Sequence, residues 1–292
     1  METGRIVKAI SEFFYVQSKH GIVSCKGRGI LKKREKTPLV GDQVTFTLTD
    51  PDFMEGMLES ILPRRNELIR PPVANVDQVL VVFSYTRPAP NYVLLDRILM
   101  MAESQFLNAI ICFNKLDLAD ENVDRSITEA YVRMGYPFYE TSSKTGEGLG
   151  ALKEEIANKT TALAGISGVG KSTLINSMFP HFSLITGSIS EKIQRGKHTT
   201  RHSELYQVTE DTWLMDTPGF SILNVDYIAE NEVRDCFRDI AEEQHKCRFN
   251  TCLHLEEPGC AVKEAVSEGT IHHNRYRNYV GVIGEIRKNR RF

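Results

Sequence analysis

The sequence predicts a multi-domain chain: an N-terminal β-barrel of the OB-fold type, a central α/β domain built on a P-loop, and a mainly helical, zinc-binding C-terminal domain. Three observations carry this expectation. Five short β-rich runs precede residue 66, apolar strands alternate with helical stretches after residue 73, and three cysteines and a histidine crowd into residues 247–260. Boundaries are expected at 1–66, 67–222 and 223–292. A chain of 292 residues has the length for two or three cores, since domains commonly run to about 100–150 residues. With 41 % apolar and 25 % charged residues it is not a disordered chain. Its net charge of −2 confines any nucleic-acid contact to local basic patches.

The barrel comes first. Residues 4–9, 13–18, 21–25, 43–48 and 55–61 are dominated by Val, Ile, Phe and Thr, with turn signals such as Lys19-His20-Gly21 between them. Five short strands in so little chain suit a small barrel, for which the OB-fold is the commonest answer. Residues 26–37 (KGRGILKKREKT) set six basic residues against one acid on an expected barrel loop, the kind of loop through which OB barrels hold single-stranded nucleic acid. Residues 64–72, with Pro63, Pro71 and Pro72 inside or beside them, read as a linker.

From residue 73 the pattern changes. Residues 79–83 (VLVVF) and 109–113 (AIICF) are apolar enough for strands buried on both faces. Helices are expected at 94–104, 123–134 and 149–157 and from 171 onward, with further strands at 138–139, 161–164 and 212–215.

Gly165, Ile166, Ser167, Gly168, Val169, Gly170, Lys171 and Ser172 fit G-x-x-x-x-G-K-[ST] between an expected strand and an expected helix, with Thr173 following. Glycines there let backbone N–H groups wrap phosphates, and the helix N-terminus adds its dipole. Lys171 would neutralise the β/γ oxygens and act in catalysis, and the Ser172 hydroxyl would ligate Mg²⁺. Asp216-Thr217-Pro218-Gly219 ends the strand at 212–215. Asp216 can hold Mg²⁺ through water, and the Gly219 N–H can meet the γ-phosphate. Between the two motifs lies the polar stretch 196–201 (GKHTTR). A threonine hydroxyl in such a loop can complete the Mg²⁺ shell when the γ-phosphate is present. Thr200 is the first choice and Thr199 the alternative.

Asn114, Lys115, Leu116 and Asp117 follow the strand at 109–113. A carboxylate at Asp117 can accept two parallel hydrogen bonds from guanine N1–H and its 2-amino group. Adenine offers no such donor pair, so a site of this kind rejects ATP strongly. Asn114 would brace the loop, and the Lys115 stem would cover the base. Thr141, Ser142, Ser143 and Lys144 end the next strand, where a backbone N–H near Ser143 can donate to guanine O6. Both motifs fall at the C-terminal ends of strands, where open α/β sheets bind ligands. GTP with Mg²⁺ is therefore the expected ligand.

The order of these motifs is unusual, because the guanine-reading pair precedes the phosphate loop. Residues 76–83 look like the strand that ordinarily follows the D-x-x-G segment, so the domain reads as circularly permuted, its old ends joined through 158–160. Closely spaced termini make such a rearrangement tolerable. With VANVDQ at 73–78, NKLD, GISGVGKS, HTTR, DTPGF, a preceding barrel and a Cys/His-containing tail, the chain resembles, over essentially its whole length, the bacterial small-subunit-dependent permuted GTPases of the RsgA or YloQ-like (YjeQ-like) family. The resemblance implies a GTPase that binds the small ribosomal subunit and its rRNA, supports its late maturation, and leaves upon hydrolysis. Phe220 follows Gly219 and cannot hydrogen-bond water, so hydrolysis is expected to be slow alone and accelerated by a partner. His198 is the expected water-orienting group, and the resemblance points the same way.

Cys247, Cys252, His254 and Cys260 supply the soft donor set that zinc prefers in a closed tetrahedral site. Their spacing differs from common zinc fingers, but the resemblance supports the same four residues. A closed shell makes one structural zinc, which argues against a metal-delivery role. Cys25, Cys112 and Cys236 read as ordinary thiols, and His245 as a substitute ligand. Arg275, Arg277, Arg287, Lys288, Arg290 and Arg291 form a second basic cluster, with Tyr276 and Tyr279 available for stacking on RNA. No stretch approaches the roughly 20 apolar residues of a spanning helix, and the N-terminus lacks a signal-peptide core. A cytoplasmic monomer without membrane contact is expected. The rival reading from another class is a GTP-dependent RNA-binding module in which hydrolysis is incidental.

Overall fold

The computed structural model describes residues 1–27, 37–69, 71–120, 125–182, 203–216 and 227–289. The chain forms two compact units. One comprises Met1–Leu80, Leu149–Ser167 and Lys171–Ile222, and the other Val81–Gly148, Gly168–Gly170 and Leu223–Phe292.

In the first unit, β1 (Glu2–Ile10), β2 (Phe13–Ser18), β3 (Gly21–Gly27), β4 (Gln43–Asp50) and β5 (Glu55–Ile61) close in the order β1-β2-β3-β5-β4-β1. Only β3 and β5 run parallel among them. Alternate residues turn inward, as the two-residue repeat of a strand requires. Ile6, Val16, Val23, Cys25, Val44, Phe46 and Leu58 are all fully buried. The five expected strands are present, each within two residues of its expected limits.

The sheet does not stop at the barrel. β1 also pairs with β12 (Glu204–Gln207), antiparallel, at Lys8 and Glu204, whose side chains form an ion pair at 3.2 Å. β12 pairs antiparallel with β13 (Trp213–Asp216), and β13 lies parallel to β11 (Thr160–Ala164). β11 is fully buried, as a central parallel strand should be. Strand β12 has no counterpart among the expected elements. Its sequence, ELYQ, lacks the apolar run that marks its neighbours.

The expected linker at 64–72 is instead a hydrogen-bonded clasp. β6 (Glu67–Leu68) pairs with β7 (Val73–Ala74). Arg64 grips both carboxylate oxygens of the fully buried Asp42, each at 2.7 Å, and donates to the Thr37 carbonyl at 2.7 Å. Asn66 exchanges two hydrogen bonds with the Val76 backbone. The prolines permit the turns, but a bidentate pair between residues distant in the chain orders them.

In the second unit, β9 (Asn108–Asn114) and β10 (Phe138–Glu140) run parallel, and β8 (Gln78–Ser84), which belongs to this unit from Val81 onward, continues the order β10-β9-β8. The helix Tyr92–Ser104 starts at Asn91, whose side chain accepts from Leu94 N at 3.0 Å as an N-cap. The tail carries the helices Arg238–Glu243, Ala261–Ser267 and His273–Asn289. Val233, Phe237, Ile240, Val262, Tyr279 and Ile283 share one core, which Met100 joins from the helix Tyr92–Ser104.

A charged network crosses that packing. Arg275 donates to Asp96 and binds Asp239 through Nε at 3.0 Å and Nη2 at 2.8 Å. Asp96 also accepts from Tyr131 at 2.8 Å and Asn278 at 2.6 Å. Arg275 is 1 % exposed and Tyr279 0 %, which corrects their expected place on an RNA-binding surface. Tyr276 and Tyr279 are likewise committed, their hydroxyls donating to the carbonyls of His254 at 2.7 Å and Leu253 at 2.8 Å. Arg287 is exposed but pairs with Glu230. Arg277 and Lys288 remain exposed, whereas Arg290, Arg291 and basic residues 28–36 lie outside the described residues. No helix among the described residues is long and apolar enough to cross a membrane.

Candidate functional site

Strand β11 leads directly into Gly165, and the helix Lys171–Met178 begins where the loop ends. Lys171 Nζ donates to the carbonyls of Gly165 at 2.7 Å and Ile166 at 2.9 Å, so its ammonium is drawn over the loop. Burial pushes the Lys171 pKa down while Asp216, at the end of β13, pushes it up. A half-buried cation held by its own loop, with the Asp216 carboxylate facing it among the described residues, can donate to phosphate oxygens. Ser172 is half-buried and Thr173 exposed in the first turn of the helix, and Ser167 is exposed in the loop.

The second unit brings the base motifs together. Asn114 is 1 % exposed. Its Oδ1 accepts from Ser143 N at 3.2 Å, Ser143 Oγ at 3.1 Å and Thr141 Oγ1 at 3.3 Å. Its Nδ2 donates to the Val169 carbonyl at 3.1 Å. One amide thus ties the 114–117 loop, the 141–144 loop and residues 168–170. Gly170 makes the approach possible. It sits at φ +94°, and a Cβ there would lie 2.6 Å from Asn114 Nδ2. Lys115, itself left-handed at φ 63°, sends Nζ to the carbonyls of Gly168 at 2.6 Å and Arg87. Its stem therefore spans between loops, as covering a planar base requires.

Ser142 is fully buried and donates to Asp117 Oδ1 at 2.6 Å, and Lys144 Nζ lies 3.9 Å from Asp117 Oδ2. Ser142 thereby orients the carboxylate, whose remaining lone pairs can take two donors side by side. The Arg87 carbonyl, and the packing of Tyr85 on Phe113 with centroids 4.7 Å apart, were not expected. No motif announces them, since both depend on how β8 and β9 end. His198, Thr199, Thr200 and Gly219 lie outside the described residues.

The four tail ligands converge. One ligating atom from each of Cys247, Cys252, His254 and Cys260 lies within 4.8 Å of all the others. His254 Nδ1 is 3.5 Å from Cys247 Sγ and 3.4 Å from Cys260 Sγ, and those two sulfurs are 4.0 Å apart. Bond lengths of about 2.3 Å to sulfur and about 2.0 Å to nitrogen require tetrahedral edges close to these values. The donor set therefore fits a metal ion of zinc's preferences. Burial lowers the His254 pKa, keeping the ring neutral as a ligand must be. The ligand loop is braced independently, for Glu257 accepts from Leu253 N and Leu255 N, both at 2.8 Å. Cys25, Cys112 and Cys236 are buried elsewhere, and His245 is exposed.

Comparison with known proteins matches residues 61–226 to the RsgA GTPase family and residues 3–53 to the RsgA N-terminal domain. A protein of Alkaliphilus metalliredigens named small ribosomal subunit biogenesis GTPase RsgA is 49 % identical over 292 residues, covering 100 % of both chains. A Bacillus cereus protein of the same name is 44 % identical, over 99 % of this chain and 98 % of its own. Among solved structures, that of YloQ, described as a circularly permuted GTPase, is 40 % identical with a TM-score of 0.77, covering 99 % of this chain and 96 % of that one. YjeQ from Thermotoga maritima is 35 % identical with a TM-score of 0.81, covering 98 % of each chain. The matches to these proteins span the whole length of the chain, and the chain belongs to the RsgA family of circularly permuted GTPases.

Proposed function

We propose that this GTPase binds the small ribosomal subunit through its rRNA and couples GTP hydrolysis to late maturation of the subunit and to its own release. The observation that carries the reading is similarity over all three parts of the chain to proteins named for small-subunit biogenesis. In this reading Asp117 takes guanine N1–H and the 2-amino group, Ser143 and its neighbours Ser142 and Lys144 form the wall at O6, and Lys115 lies along the base. Residues 165–173 wrap the phosphates, with Lys171 at the β/γ oxygens. Ser172, Asp216 and Thr200 would hold Mg²⁺, which when bound neutralises charge developing on the phosphates. Gly219 would meet the γ-phosphate and His198 would orient the attacking water.

The zinc held by the cysteine cluster is structural in this reading, since four protein ligands leave no position for substrate. The domains run 1–66, 67–222 and 223–292, and the protein works as a cytoplasmic monomer. Because Phe220 offers water no hydrogen bond, turnover is slow until the subunit supplies the missing order. Steady-state GTP hydrolysis with and without purified small subunits, with ATP as control, tests this. Stimulation of about 100-fold is expected, comparable to one well-placed transition-state donor. Unchanged turnover on binding would leave only a GTP-dependent RNA-binding module.

A further inference from the structure

The seam between the barrel and the strands that carry the phosphate motifs is plugged by one cation. Arg5, on barrel strand β1, is only 7 % exposed. Its Nε donates to the Gly41 carbonyl at 3.3 Å, and its Nη2 donates to the Asn75 carbonyl at 3.1 Å and to Thr160 Oγ1 at 2.9 Å. The guanidinium carbon sits 4.9 Å from the Trp213 ring centroid. These bonds end on carbonyls and a hydroxyl, none on a carboxylate. Burial accordingly pushes the Arg5 pKa down to about 10, with Asp77 opposing the effect.

The two strands that Arg5 touches are those that deliver the chemistry. Thr160 opens β11, which runs into Gly165, and Trp213 opens β13, which ends at Asp216. At about 3.3 Å per residue, the seam lies roughly 16 Å from the loop along one strand and roughly 10 Å from Asp216 along the other. Thr160 is also pinned from the clasp, its N–H donating to Asp77 Oδ2 at 2.7 Å and its carbonyl accepting from Asp77 N at 2.9 Å. Trp213 N donates to the Lys159 carbonyl at 2.9 Å. Both strands therefore start from one rigid block that includes β1, and β1 is hydrogen-bonded to β2, β4 and β12. A shift of Asp216 or of the loop can pass along these strands to the seam.

We propose that Arg5 is a positioning residue that couples the nucleotide state at the phosphate loop and Asp216 to the barrel, through Thr160 and Trp213. The proposal rests on the GTPase reading for its signal and on the rRNA reading only for what the barrel does with it. Coupling is reciprocal, so a partner on the barrel alters nucleotide affinity by the same factor.

Trp213 is the only tryptophan of the chain, so its emission reports the seam alone. In the isolated protein with Mg²⁺, Trp213 emission is expected to differ between GDP and a non-hydrolysable GTP analogue. Arg5→Met should shrink that difference by about fivefold or more while nucleotide affinity stays within about twofold, and Arg5→Lys, which keeps the charge, should restore part of it. Thr160→Val, which deletes only the acceptor hydroxyl, provides the same test should Arg5→Met fail to fold. In the subunit-binding arm, the ratio of affinities in the two nucleotide states should fall toward one in the variants. A purely structural role would lower the melting temperature but leave the emission difference intact, and that result overturns the proposal, as does identical wild-type emission in both nucleotides. Loss of subunit binding in the wild type, with the emission pattern as expected, would instead sink the rRNA reading and leave the coupling standing.

Discussion

Lys171→Ala is expected to weaken GTP binding by about 100-fold or more and to reduce turnover further. The ammonium makes two hydrogen bonds to its own loop, at Gly165 and Ile166, which replace the water it loses there. Phosphate oxygens would exchange these neutral acceptors for charged ones. Hydrogen bonds to charged groups contribute about 1.5–3 kcal/mol each, so losing one or two removes between one and several powers of ten in affinity. The lysine reaches oxygens that gain charge as the γ-phosphate departs, so catalysis should suffer more than binding. Stability should change little, because burial already disfavours the charged form of Lys171 and only Asp216 opposes that. Equilibrium titration with a fluorescent GTP analogue, beside a thermal melt, separates the two effects. A variant that binds as tightly as the wild type would contradict the assignment of the loop.

Removing the metal from the tail should have an effect of similar size, on order instead of affinity. Freshly purified protein should contain about one zinc per chain, the stoichiometry of a closed four-ligand site. Structural zinc in small domains contributes about 10–16 kcal/mol to folding of isolated peptides at neutral pH. The contribution here should be smaller, because the loop keeps other supports. Glu257 holds two backbone N–H groups, Tyr276 and Tyr279 hold two carbonyls, and Arg234 donates to the carbonyls of Asn250 at 2.8 Å and Cys252 at 3.0 Å. Chelation should therefore open residues 247–260 first, with amide exchange faster by about 100-fold. The core around Phe237 and Ile283 should follow only partly, since Met100 and the Arg275–Asp96 pair anchor it independently. Exchange rates that ignore chelation, or metal content well below one per chain, would speak against a structural zinc.

What could be read from the sequence was what depends on neighbours in the chain. The barrel strands announce themselves by alternation, and β8 and β9 by unbroken apolar runs, because a strand's environment repeats every one or two residues. The phosphate loop and the 114–117 loop are legible because backbone geometry there demands particular residues at fixed offsets. Gly170 shows why, since any side chain would collide with Asn114. What could not be read depends on partners far along the chain. Nothing near Arg64 points to Asp42, so a ring of prolines around 64–72 suggested a linker where a clasp exists. β12 is short and polar because it is defined by hydrogen bonds to β13 and β1 rather than by burial.

The tail offers a more instructive case. Counting charges in 275–291 suggested an RNA-binding face, yet Arg275, Tyr279, Val282, Ile283 and Ile286 fall at helical spacing on one buried stripe. The periodicity was present in the sequence, and it outranks the charge count: a buried arginine flanked by Asp96 and Asp239 is held by its partners, whatever its type suggests.

Everything in the functional account depends on Asp117 and the phosphate loop serving one guanosine nucleotide. Calorimetric titration of the intact protein with GDP and with ADP, in Mg²⁺, addresses this most directly. The account predicts GDP binding with one site per chain and ADP binding weaker by about 1,000-fold or more, because adenine would bring the Asp117 carboxylate neither of the two donors that guanine brings. Equal affinity for the two nucleotides would contradict it.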